Sequence, residues 1–152
     1  MKAIHWIIAA AALASVQPAQ AATTDPEVII YRFPGVLGKA ATVGTVFHCT
    51  NFSGVTETLR FVLRESNTTI ISNMTFDIQH LGTATVSTHD VNAYTEDLVV
   101  AAASNLHHGT MAIAATSTNI ICTAMTIDAS TAAPVGVALR GIRFSPVPGS
   151  QE

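Results

Sequence analysis

Residues 119–128 read Asn-Ile-Ile-Cys-Thr-Ala-Met-Thr-Ile-Asp. Successive side chains of a strand point to opposite sides. Here Ile120, Cys122 and Ala124 share one side, and Ile121, Met125 and Ile127 share the other. A strand apolar on both sides is one covered on both sides, so this stretch is expected to lie inside a sheet rather than at its edge. It also carries Cys122, one of only two cysteines.

The rest of the chain supplies partners of the same kind. Threonine and β-branched apolar residues recur throughout, and both favour strands. Residues 55–65 alternate most clearly: Val55, Leu59, Phe61 and Leu63 on one face, Thr56, Thr58, Arg60 and Arg64 on the other. Residues 27–33 form a first strand that Pro34-Gly35 is expected to close. In residues 135–144 the apolar phase slips between Leu139 and Ile142, which a bulge near Arg140-Gly141 would explain. The exception is the segment 95–104. Thr95 can cap a helix with Glu96 and Asp97 in its first turn, and Ala101 to Ala103 tolerate helix. One short helix is expected there, with a strand from Leu98 as the rival. Short strands separated by turn signals every 8–12 residues or so predict an all-β domain. The expected form is an antiparallel immunoglobulin-like β-sandwich of seven to nine strands. No tryptophan stands between the cysteines, so the likeness to an antibody domain is architectural only.

The front of the chain has a different logic. Lys2 precedes an apolar run from Trp6 to Val16, and Ala19 and Ala21 stand at the −3 and −1 positions of an A-x-A site. This is the layout of a secretory signal peptide over residues 1–21. A run of eleven residues is too short to span a bilayer about 30 Å thick. A flexible leader (22–26), one domain (27–144) and a frayed tail (145–152) would follow. Cleavage removes Lys2 and leaves six Lys and Arg against ten Asp and Glu. Without a basic patch, nucleic acid and anionic membranes are poor partners. Periplasmic or secreted localisation by bacterial Sec-type export is the expectation.

Export would deliver Cys49 and Cys122 to an oxidising compartment, where a structural disulfide is the natural outcome. The loop so closed spans about 74 residues and is worth about 4.5 kcal/mol on the chain-entropy model. The C-x-x-C spacing of redox enzymes is absent.

Candidate chemistry concentrates between His80 and His108. His89, Asp90, Glu96 and His107 are the side chains that could ligate zinc or copper, with Asp97 and His108 nearby. Their spacing matches no metal motif, and on a regular strand His107 and His108 would point apart. No G-x-S-x-G elbow or other catalytic signature occurs. The expectation is therefore a non-enzymatic module without a cofactor, binding a protein or glycan or serving an envelope or surface structure. Its loop from residue 91 to 109 would be the presenting element. A small metal-binding protein using the 80–108 segment is the alternative. A monomer is expected; pairing of residues 27–33 with another subunit's sheet edge is the route to self-assembly.

Overall fold

The computed structural model describes residues 26–39, 42–101, 105–133 and 135–144. The expected signal peptide, nearly all of the leader and the tail lie outside the described residues. The described chain is all-β, with ten strands and no helix: β1 (Val28–Lys39), β2 (Val43–Asn51), β3 (Glu57–Glu65), β4 (Ile70–Ile78), β5 (Thr83–Ser87), β6 (Leu98–Val99), β7 (Leu106–Ala115), β8 (Ile120–Asp128), β9 (Gly136–Leu139) and β10 (Ile142–Arg143).

The strands join into one sheet in the order β4-β3-β7-β1-β2-β5-β6, with β8 on β2, β9 on β8 and β10 on β1. Every pairing is antiparallel except β5 with β6, so the sheet is mixed. It curls into a half-barrel. This corrects the expectation of two separate antiparallel layers. The cause lies in β1. Pro34-Gly35 does not end the strand; the chain passes through it as an irregularity in the ladder to β7, with Gly35 at φ 73°. Glycine takes that backbone conformation without a steric penalty. The continued strand reaches Gly38 and Lys39, which pair with Gly44 and Val43 of β2. These two pairs hydrogen-bond one half of the sheet to the other. Beyond them β1 turns to β7 and β10, and β2 to β5 and β8.

Thr45 and Thr88 secure this crossing from inside the protein. The Thr45 hydroxyl donates to Leu37 O at 2.9 Å and accepts from Leu37 N at 2.9 Å. Thr88 Oγ1 donates to the same carbonyl at 2.6 Å and accepts from Thr45 N at 2.9 Å. Both threonines are fully buried, and these bonds satisfy them.

The main core fills the concave side. Leu59, Phe61 and Leu63 of β3 are buried, as their alternation predicts, with Met111 and Ile113 of β7 and Ile120 of β8. An aromatic chain crosses the interior. Phe47 of β2 packs edge-on to Phe33 of β1 at 5.3 Å and to Phe61 of β3 at 6.4 Å, and Phe61 stacks on Phe76 of β4 at 5.8 Å. Such pairs add to the burial of area itself.

The phase slip in the last strand falls where expected, at Arg140-Gly141. There the chain leaves β8 as β9 and joins β1 as β10. Gly141 lies against the Phe33 ring so closely that a Cβ could not be accommodated. Arg143 over Tyr31 (5.8 Å) and Arg32 over Phe144 (5.7 Å) hold this short end.

The helix expected over residues 95–104 is not formed. Leu98 and Val99 instead make β6, parallel to Val86 and Ser87; residues 102–104 lie outside the described set. Tertiary bonds claim the side chains that would have started a helix. Asp97 Oδ2 accepts from Thr85 N at 2.7 Å, and Glu96 Oε1 accepts from Val91 N at 2.7 Å.

Candidate functional site

Cys49 and Cys122 form a disulfide, with Cα atoms 4.1 Å apart. They face each other directly in the β2–β8 ladder. The bond therefore joins neighbouring strands of one layer rather than stapling two layers together. Its sulfurs lie in the main core beside Phe47, Ala84 and Ile120.

The reverse side of the same ladder carries polar and aromatic groups. His48 Nδ1 is 3.1 Å from Thr85 Oγ1, and its ring meets Tyr94 edge-on at 4.7 Å. Tyr94 OH donates to Met125 Sδ at 3.6 Å. Burial beneath Tyr94 pushes the His48 imidazole below its ordinary value of 6.5. Next to this group, Val91 and Ala93 cover Val46 and Ile127 as a second small core. The segment 89–94 is thus a strap laid over the outer face. Glu96 anchors it through Val91 N and Ser87 Oγ, and Asn92 anchors it through Ser130 O. Sequence reasoning missed His48 because it read only as a polar residue on a half-buried strand. The residue that makes it distinctive, Tyr94, is 46 positions away in the sequence.

The four proposed metal ligands have separate places. His89 is half-buried at the start of the strap, its Nδ1 accepting from Asp90 N at 2.9 Å. Asp90 is exposed beside it. Glu96 spends its carboxylate on the strap's own backbone. His107 lies on β7 where one residue of β1 opposes two of β7, a bulge that leaves both His107 and His108 exposed. Among the described residues, no three His, Cys, Asp or Glu side chains converge to hold a metal ion. His108 instead borders an open cleft of about 350 Å³ with Arg64, Glu65, Thr68 and Gly35.

The loop expected to present itself to partners is also fastened. Val91, Val100, Ala101 and Leu106 are buried. Three of the exposed apolar groups lie on turns tied to Asn51. This fully buried side chain donates to Val55 O (2.7 Å) and Ile78 O (3.0 Å) and accepts from Ser53 N (2.8 Å). Its backbone carbonyl accepts from Leu81 N at 2.7 Å. The turns so tied display Phe52, Val55 and Leu81 at 49%, 61% and 65% exposure.

Comparison with protein-family models, curated proteins and solved structures finds no match. A buried disulfide suits an oxidising compartment, and no helix among the described residues is long and apolar enough to cross a membrane.

Proposed function

We propose that this is an exported, non-enzymatic β module of the periplasm or the extracellular space, which binds a partner through the turns around Asn51. The Cys49–Cys122 disulfide in the core carries the export half of this reading: thiols in a reducing cytosol would stay unpaired. The signal-peptide layout of residues 1–21 agrees with it. Phe52, Val55 and Leu81 carry the binding half. Large apolar groups exposed together on turns held rigid from beneath favour contact with a protein or a glycan.

Two measurements test the halves separately. Fractionation of cells expressing the whole chain should place it outside the cytoplasm with Ala22 at its new N terminus; an intact leader and cytoplasmic retention would refute export. Replacing Phe52 and Leu81 by Ser should abolish capture of its partner from envelope extracts while leaving the thermal unfolding midpoint unchanged. Undiminished capture would remove the turns from the binding role. The metal-binding alternative gains no support from the placement of His89, Asp90, Glu96 and His107, and elemental analysis of protein from its native compartment decides it.

A further inference from the structure

Residues 28–33 are built into their own sheet. Their β1 ladder pairs with β7 along one side, and β10 takes Tyr31 and Arg32 on the other. The edge suited to another chain lies elsewhere. Of the edge strands among the described residues, β6 and β10 offer two residues each and β9 offers four, whereas β4 offers nine. Among the described residues β4 pairs with β3 alone, and its outer row of backbone donors and acceptors faces none of their strands.

Natural edges are blunted by proline, lysine, bulges or shortness. The run from Ser72 to Ile78 has none of these. It contains no Pro, Lys or Arg, and its pairing to β3 is regular; the single register shift comes before Ser72. Its inner side is incompletely covered. Met74 is 39% exposed, and half-buried Phe76 lines an open cleft of about 270 Å³ that β4 shares with β5.

We propose that β4 is a self-association edge, along which two copies pair antiparallel about a two-fold axis at Thr75. An antiparallel edge is complementary to itself under such an axis, because each free donor row meets an acceptor row of the same spacing. Side-chain chemistry selects the register. With Thr75 opposite itself, Asn73 faces Asp77 of the second copy on the outer surface. Arg60 already donates to Asn73 Oδ1 at 2.8 Å and Asp77 Oδ1 accepts from Thr58 Oγ1 at 2.8 Å, so the incoming Asp77 carboxylate, with Thr58 on one oxygen, meets a guanidinium on that same surface. Symmetry makes this charge match twice. On the inner surface Met74 meets Phe76 of the second copy, a sulfur–aromatic contact that covers the two exposed apolar groups of the edge. The pairing extends one half-barrel sheet into the next and closes at two copies, because each partner then has its long edge occupied. The argument for this self-pairing uses none of the residues proposed for binding at the turns around Asn51.

The disulfide-bonded protein should show a reversible monomer–dimer equilibrium in sedimentation velocity, with no larger species. Thr75→Lys sets two like charges opposite each other on the axis and should raise the dissociation constant about tenfold or more, without changing the circular dichroism spectrum. Thr75→Cys should yield an intermolecular disulfide under mild oxidation, since directly opposed residues have Cα atoms about 4.5–5.5 Å apart. Val137→Cys, on the competing edge β9, should not. A protein that stays monomeric throughout, a dimer indifferent to Thr75→Lys, or cross-linking through Val137→Cys in place of Thr75→Cys would each overturn the proposal.

Discussion

The two faces of the β2–β8 ladder are held by different physics. On the inner face Phe47 and Cys49 are fully buried, the disulfide joins the two cysteine side chains, and aromatic rings reach across to β1 and β3. On the outer face the same strands carry His48 and Met125 against Tyr94 of a strap that covers only part of the surface, and Thr123 is exposed. Ile121, two residues from the strap-contacting pair's neighbours, is 49% exposed. One face depends on apolar volume and a covalent link. The other depends on a small apolar patch under the strap, around Val46 and Ile127, and on a few polar and edge-on contacts at its margin. A single pair of strands thus serves as core on one side and as an adjustable surface on the other.

Four experiments can break or sharpen this contrast. The largest effect is expected from Phe47→Ala, which removes the ring common to two aromatic contacts and should cost about 3–5 kcal/mol in urea unfolding. Next comes replacement of Cys49 and Cys122 together by Ala, with an expected loss of about 2–5 kcal/mol. The unfolding cooperativity should survive, because nine residue pairs still join β2 to β8. On the outer face, Tyr94→Ala should cost about 1–2 kcal/mol, since the ring is only half-buried and its neighbours can rehydrate. If Tyr94→Ala costs as much as Phe47→Ala, the two faces are not distinct in kind.

The smallest effect concerns pH. Burial lowers the folded-state affinity of His48 for a proton, so at pH well above 6.5 the group is neutral in both states and contributes no difference. As pH falls through 6.5, the unfolded chain takes up a proton that the folded chain resists, and stability declines until the lowered folded value is passed. His48→Gln should flatten this part of the stability profile in pH-stepped thermal melts. An unchanged profile would show that burial of His48 does not set this part of the pH dependence.

Local alternation made much of the inner face legible. The face carrying Leu59, Phe61 and Leu63 and the phase slip at Arg140-Gly141 follow from side-chain period, and the pairing of two distant cysteines follows from there being only two. The outer face was less legible. Both sides of β8 read as covered, yet only the stretch around Ile127 lies under the strap, and nothing local to residues 119–128 reveals how far residues 89–94 extend over it. Glu96 and Asp97 read equally well as helix-start residues or metal ligands. Only the folded chain shows them accepting backbone N–H groups of Val91 and Thr85.

Sequence alone determined that this chain is built of strands, which side of most strands faces inward, and which two sulfurs meet. Those properties are written at a spacing of two residues and in the cysteine count. Tertiary structure alone decided that the strands join as one curled sheet, that the disulfide links neighbours within it, and that β4 is left as the long free edge. These depend on pairings between residues far apart in the chain, such as Tyr31 with Ile113 of β7 and Cys49 with Cys122 across the ladder. No local period encodes which strand will be the neighbour of which.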